Sequence, residues 1–137
     1  WWFVGIIHKM ESNGDFRTHL HNGDPLTART VQVPADRPKD GKPPFTWKES
    51  ALDALRLEGI DKVPSWEIPR ALYEFEKYNG FAYFGLGINS PYLWSFTTLY
   101  NRGKFVADHK FSRVAVSKQC GAAAMLKVLV ELGYVRN

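Results

Sequence analysis

Apolar and polar positions follow a helical period at the start of the chain. Val4, Ile7 and Glu11 fall on one stripe of the first twelve residues, which is the repeat of a helix with a single buried face. The segment 13–45 that follows is rich in Gly and Pro and is predicted to be a loop. Within it "RTVQV", residues 29–33, alternates and is β-branched, so it is predicted to be a short strand or half of a hairpin.

Helix signals recur at two later positions. Thr46 and Glu49 have the spacing of a capping box, in which each side chain bonds the backbone amide of the other residue, so a helix is predicted over 47–58. Ser117 is the expected cap of the last helix, which ends at Gly133. Because that helix is apolar on nearly every side, we expect it to be buried at the centre of the fold.

The chain between these two helices is predicted to be mixed in structure. Ser65 is the expected cap of a third helix, which ends at Gly80. A glycine-broken aromatic loop ("FAYFGLGINSP"), a short buried helix ("YLWSFTTLY") and an extended stretch ("KFVADHKF") follow. The predicted fold is mainly α (α+β): a single domain over 1–137 with a central buried helix and a small β-hairpin or loop region after the first helix.

Composition limits the classes of protein that this chain can belong to. With 137 residues, 45% of them apolar, it can form a genuine hydrophobic core. Its one cysteine, Cys120, excludes an internal disulfide framework. The net charge of +4 comes without a basic cluster, so we expect no nucleic-acid partner. No run of 18 apolar residues exists, so no membrane span is expected, and "WWFVGIIHKME" lacks the cleavage site of a signal peptide.

Glu11 is the first candidate for chemistry. It shares a face with apolar residues in the last turn of the first helix, where partial burial and the negative end of the helix dipole both disfavour the ionised carboxylate. A carboxyl group held protonated in this way can act as a general acid near neutral pH. The simpler alternative is a surface glutamate that finishes an amphipathic helix.

A second carboxylate follows in the loop. Asp24 lies in a Gly-Asp-Pro turn with Thr27 and Thr30 shortly after it. A helix-terminal acid and a loop carboxylate are what cleavage of a glycosidic bond requires, one as proton donor and the other to activate water or to stabilise the cationic transition state. Asp15 competes for the second role, and Asp24 could instead be a turn former.

Two short motifs resemble those of a known family. "ES" followed by "NGDF" resembles the "ES.F" acid motif of goose-type lysozymes and soluble lytic transglycosylases, and "KYNG", residues 77–80, resembles their "AYNAG" motif. The resemblance implies a lysozyme-like fold, cleavage of β-1,4 bonds in peptidoglycan and Glu11 as general acid. It also implies that Tyr78 and Asn79 bind the sugar near that acid. The "GLMQ" segment of the family is absent as such.

The long loop with Asp24 is more similar to phage-type lysozymes and chitosanases. In those enzymes a Glu on the first helix pairs with an Asp, and often a Thr, in the following β-region. This second resemblance favours hydrolysis over transglycosylation, because a lytic transglycosylase needs no second carboxylate.

Further polar and aromatic residues complete the predicted site. Tyr92 and Asn89 are expected in the sugar cleft, since aromatic faces stack on sugars and amides bind N-acetyl groups. His21 is expected to line the cleft or to bond the loop. His19, His21 and Asp24 have some of the character of zinc ligands, but no third distant ligand is convincing, so neither a metal nor another cofactor is expected.

The sequence therefore predicts a peptidoglycan hydrolase, an N-acetylmuramidase that cleaves between MurNAc and GlcNAc. A lytic transglycosylase and a chitinase or chitosanase are the enzymatic alternatives, and a non-catalytic cell-wall-binding domain is the alternative of another class. The expected partner is the glycan strand, bound by a monomer. The expected location is secreted or periplasmic, or that of a phage-encoded endolysin acting on the cell wall.

Overall fold

The computed structural model describes residues 1–136, which form two compact units, Trp1–Pro64 and a second that begins at Ser65. Helices predominate over strands in both units, and the expected α+β class is confirmed. No helix in the described part of the chain has both the length and the apolar character needed to cross a membrane. The lysozyme-like topology remains a prediction.

The first unit contains the two helices that the sequence predicts most directly. Helix α1 spans Trp2–Ser12, and helix α2 spans Trp47–Leu57 and leads into a 3-10 turn, Ile60–Lys62. The capping box is confirmed, because the amide of Glu49 donates to the Thr46 hydroxyl at 3.1 Å and the amide of Thr46 donates to the Glu49 carboxylate at 2.7 Å. Between α1 and α2 the chain is a long loop.

The strand predicted at residues 29–33 is wrong. Of the two alternatives predicted after α1, a β-hairpin or a loop, the structure has the loop, which contains only an isolated bridge between Thr18 and Pro25. The chain bends at residues 32–34, and the amides of Val31 and Gln32 donate to the carboxylate of Asp24, not to a second strand. β-branched residues alone therefore do not make a strand here.

The second unit begins with helix α3, Ile68–Asn79, which ends at Gly80 as expected. Its cap is Glu67 and the predicted cap Ser65 is wrong. A helix capped by Ser65 would need an amide hydrogen on Pro69 to bond the Ser65 carbonyl, and proline has none. With the start at Ile68, Pro69 falls among the first residues, whose amides need no helical partner.

The remaining elements are short. The aromatic loop contains helix α4 (Ala82–Gly85), the "YLWSFTTLY" stretch contains helix α5 (Pro91–Trp94), and helix α6 spans Ala122–Glu131. The extended stretch forms an antiparallel hairpin of strands β1 (Lys104–Ala107) and β2 (Lys110–Ser112), with a register irregularity between Phe105 and Ala107.

Helix α6 corrects two predictions. Its cap is Gly121, not Ser117. Gly121 lies so close to α5 that a Cβ there would be 2.2 Å from the Leu93 carbonyl oxygen. The helix is also not buried on all sides. It packs against α3 and α5 and buries Ala122 and Leu126, while Val128 is 51% exposed.

Candidate functional site

The end of α1 fixes the position of Glu11. The helix stops because Asn13 adopts a left-handed conformation with φ 55° and Gly14 follows with φ 80°. Their amides close the last turn by donating to the carbonyls of Lys9 and His8 at 3.0 and 3.2 Å, as in common C-terminal caps. Glu11 thus lies in the final turn, half-buried, as predicted.

The turn that carries Asp24 lies against this helix end. The turn is closed by the His19 amide donating to the Asp24 carbonyl at 2.7 Å and the Gly23 amide donating to the His19 carbonyl at 2.9 Å. Gly23 has φ 83°, and a Cβ on it would lie 2.4 Å from the carbonyl oxygen of Glu11. Only glycine allows the Asp24 turn to contact the backbone of Glu11 so closely.

The carboxylate of Asp24 is buried and fully engaged by the loop. One oxygen accepts the amides of Val31 and Gln32, both at 2.9 Å, and the other accepts the side-chain amide of Gln32 at 2.8 Å. Burial by itself would raise the pKa of Asp24, but these hydrogen bonds outweigh it and the pKa is lowered. Asp24 is therefore a fixed negative charge at neutral pH, and it also organises the loop.

Asn22 completes the clamp on residues 31–33. Its side-chain oxygen accepts the amide of Asp24 at 3.0 Å, and its side-chain nitrogen donates to the carbonyls of Gln32 and Val33 at 3.0 and 3.4 Å. Asn22 and Asp24 therefore bind the amides and carbonyls of one loop segment, residues 31–33, between them. The sequence reasoning missed Asn22, although the spacing Asn-x-Asp in a turn was the signal.

Asp15, the competing carboxylate, lies beside α1 and is paired with Arg17. It accepts the Arg17 backbone amide at 2.9 Å and the guanidinium at 2.9 and 2.8 Å. These contacts, led by the side-chain hydrogen bond, lower the pKa of Asp15 to about 2. Asp15 is thus ionised, as the second carboxylate would have to be, but both of its oxygens are already bound by Arg17.

His21 belongs to a buried network that anchors the Asp24 turn to α2. Its Nε2 lies 2.6 Å from Asp53 and its Nδ1 lies 3.3 Å from the Ser50 hydroxyl. Arg37 donates two hydrogen bonds to the same Asp53 carboxylate at 2.7 and 3.0 Å. Burial lowers the pKa of His21, and the bond to Asp53 offsets this only in part. This neutral imidazole holds the loop in place.

Ser50, His21 and Asp53 have the residue types of a hydrolase triad, but they form a structural cluster. Ser50 is fully buried. Its hydroxyl lies closer to Nδ1 of His19, at 2.9 Å, and accepts the amide of Leu20 at 3.2 Å. No substrate can reach a hydroxyl enclosed in this way. The network was missed because His21 lies 29 residues from Ser50 and 32 residues from Asp53 in the chain.

The two threonines predicted near Asp24 differ in environment. Thr27 is exposed on the turn after Asp24. Thr30 is buried, donates its hydroxyl hydrogen to the Pro34 carbonyl at 2.6 Å and accepts the amide of Arg37 at 2.9 Å. The hydroxyl of Thr30 therefore holds the loop through both its donor and its acceptor.

The predicted residues Tyr78 and Asn79 lie in the second unit, at the end of α3. Tyr78 is half-buried, and Asn79 is exposed just before Gly80, which has φ 90°. One turn earlier Glu74 is 1% exposed and accepts from Arg70 at 2.8 Å. The Arg70 side chain is 46% exposed, so the pair joins a surface cation to a buried carboxylate on the helix that carries the "YNG" segment.

Asn89 lines a cavity of the second unit. The cavity has a volume of about 530 Å³, and Tyr73, Phe81, Phe84 and Glu76 are among its other lining residues. Burial raises the pKa of Glu76. The side-chain nitrogen of Asn89 donates to the Leu99 carbonyl at 2.8 Å, while Tyr92, half-buried in α5, is not among the lining residues.

The histidines do not form a metal centre. Within residues 1–136 no group of three His, Cys, Asp or Glu side chains is arranged to hold a metal ion. Both nitrogens of His19 are engaged, one with Ser50 and the other with the Ala28 carbonyl at 2.8 Å.

The first unit thus brings together Glu11, the Asp24 turn and the His21 anchor, while Tyr78, Asn79, Asn89 and Tyr92 belong to the second. Hydrogen bonds from the loop hold the ionised Asp24 in place, and His21 anchors its turn to α2. Gly23 of the same turn contacts the backbone of Glu11. Comparison of the chain with protein-family models, with curated proteins and with solved structures gives no match.

Proposed function

We propose that this protein is a peptidoglycan hydrolase, an N-acetylmuramidase that cleaves the β-1,4 bond between MurNAc and GlcNAc. The observation that carries the proposal is the contact of Gly23 with the Glu11 carbonyl. It supports the pairing of a helix-terminal acid with a neighbouring ionised carboxylate, which is the chemistry of glycoside hydrolysis.

In the proposed mechanism Glu11 donates its proton to the glycosidic oxygen as the bond breaks. Water then adds to the cationic sugar carbon and gives a proton back to the Glu11 carboxylate. Asp24 has both oxygens occupied by N–H donors, so it is suited to stabilising positive charge on the sugar more than to removing a proton from water. A carboxylate held ionised by hydrogen bonds beside a protonated acid is the division of roles that glycosidases use. Within the first unit Thr27 is proposed as a contact for the glycan. Tyr78, Asn79, Asn89 and Tyr92 are each proposed as glycan-binding residues of the second unit.

A lytic transglycosylase is the second candidate, and one observation favours it. Both carboxylates near Glu11 already have donors, Asp24 from the loop and Asp15 from Arg17, and a transglycosylase needs only the acid. In that reaction the C6 hydroxyl of MurNAc displaces the leaving group, and a 1,6-anhydro end forms in place of a reducing end. A chitinase or chitosanase would use the same residues on another glycan.

Digestion of purified sacculi, with mass spectrometry of the fragment ends, tests the proposal. A muramidase releases new MurNAc reducing ends, a transglycosylase releases 1,6-anhydroMurNAc ends, and a wall-binding domain binds sacculi saturably without releasing fragments. A parallel assay on chitin and chitosan oligosaccharides tests the substrate class. The proposed location of the enzyme is secreted or periplasmic, or that of a phage-encoded endolysin that acts on the cell wall.

A further inference from the structure

Three aromatic rings of the first unit form a cluster next to the end of α1. The ring of His8 lies 4.5 Å from Phe16 and 4.9 Å from Trp47, and Phe16 and Trp47 are 5.1 Å apart, all measured between centroids. Phe16 is edge-on to both of the other rings and is 65% exposed, whereas His8 is only 7% exposed. Phe16 is thus the outer member of the cluster.

Two polar atoms inside this cluster have no hydrogen-bond partner. Nε2 of His8 and Nε1 of Trp47 are both buried, and neither bonds any group in residues 1–136. A buried donor without a partner costs about 1–3 kcal/mol, and buried indole N–H groups normally find an acceptor. Two such atoms in one cluster indicate a site whose acceptor comes from outside the chain.

The cluster lies next to the helix end that carries Glu11. His8 lies one turn before Glu11 on α1, and Phe16 lies in the turn directly after that helix. If the exposed Phe16 ring rotates away, the face of Trp47 becomes available for stacking on the apolar face of a sugar ring. The indole N–H can only donate, so its partner must be an acceptor such as a hydroxyl or N-acetyl oxygen.

We propose that His8, Phe16 and Trp47 form a saccharide subsite for one N-acetylhexosamine unit of the glycan. Phe16 turns outward to admit the sugar, whose ring takes its place against Trp47. One sugar oxygen accepts from Nε1 of Trp47, and a hydroxyl pairs with Nε2 of His8. The subsite rests on the proposed function for its ligand, but it requires binding only and not turnover.

Calorimetric titration on the Glu11→Gln background tests the subsite without turnover. The probes are chitotetraose and peptide-free glycan strands from sacculi. Removing the indole donor with Trp47→Phe is expected to weaken binding about tenfold, which is the loss of roughly one hydrogen bond to the ligand. His8→Phe is expected to act in the same direction. Trp66→Phe, in the second unit, is the matched control and should leave affinity unchanged.

One further readout separates a ligand role from a structural one, because it does not depend on the ring packing that Trp47→Phe also changes. The indole N–H resonance of Trp47, identified by its absence in Trp47→Phe, should shift when chitotetraose or glycan strands are added.

Unchanged affinity of Trp47→Phe together with an unmoved indole resonance would overturn the subsite while leaving the muramidase proposal intact. If glycan binding depends on Trp47 but the wild type does not cleave the glycan, the subsite is supported and the muramidase proposal is wrong. No binding of either glycan by the wild type would overturn both.

Discussion

The backbone of Gly23 lies directly against the carbonyl group of Glu11. A Cβ at Gly23 would be 2.4 Å from that oxygen, and φ is 83°. The contact joins the end of α1 to the turn that carries Asp24, so it links the acid of the proposed site to its ionised neighbour. It also explains why glycine stands between Asn22 and Asp24, two residues that clamp the loop.

Gly23→Ala should therefore lower the unfolding free energy by more than the positive φ of residue 23 alone would. The positive φ costs about 1 kcal/mol for alanine, and displacing the turn from the Glu11 carbonyl should cost a further ~1–3 kcal/mol. Gly14→Ala is the matched control, because φ is 80° there and no atom lies within 4 Å of its Cβ. Equal losses of unfolding free energy in urea for the two variants would contradict the close contact.

Asp24→Asn should loosen the loop. An amide cannot accept from the Gln32 side chain at one atom and from two backbone amides at the other, so at least one donor loses its partner. We expect a loss of about 2 kcal/mol in unfolding free energy, typical of a hydrogen-bonded charge. Amide exchange at Val31 and Gln32 should become faster, and protection equal to the wild type would argue against the clamp.

Asp15→Asn is the control for that variant. Asp15 pairs with Arg17, whose side chain is 89% exposed, and exposed ion pairs contribute little to stability. The unfolding free energy at neutral pH should therefore stay close to that of the wild type. If Asp15→Asn were the more damaging of the two in release of glycan fragments, Asp15 would replace Asp24 as the partner of Glu11.

The His21 anchor predicts how stability depends on pH. The groups that face His21 are Asp53, Arg37, His19 and Ser50. Because burial lowers the pKa of His21, the unfolded chain takes up the proton first. The stabilisation is complete above the unfolded pKa of about 6.5 and is lost as the pH falls through the lower folded value.

Urea unfolding, followed by tryptophan fluorescence at pH 7.5 and 5.5, measures this dependence. His21→Gln should lower stability at pH 7.5 and reduce the difference between the two pH values. His109→Gln, which changes an exposed histidine in the β1–β2 turn, should keep the wild-type difference. An undiminished difference in His21→Gln would mean that another group carries the dependence.

Local signals in the sequence were sufficient where neighbours along the chain determine the structure. The stop of α1 after Glu11 depends on residues within six positions of each other, and the capping box at Thr46 on residues three apart; both are as predicted. Ser65 is not the cap of α3 because Pro69 has no amide hydrogen to bond the Ser65 carbonyl. That requirement too is local, and Pro69 is its signal in the sequence.

Long-range polar contacts could not be predicted in the same way. The pattern at 29–33 favours a strand, whereas in the structure the Asp24 carboxylate takes the amides of Val31 and Gln32. Likewise, nothing in the spacing of His21 and Asp53 indicates a bond of 2.6 Å across 32 residues. Hydrophobic periodicity identifies buried faces, whereas the partners of buried polar groups emerge only from the folded chain.

The most direct test of the account is the rate at which Glu11→Gln releases fragments from purified sacculi. If Glu11 is the general acid, the rate should fall on the order of 10²–10⁴-fold, while circular dichroism and urea unfolding match the wild type. Asp61→Asn, an exposed carboxylate-to-amide change in the same unit, should keep the wild-type rate. Full activity of a folded Glu11→Gln protein would contradict the proposed mechanism.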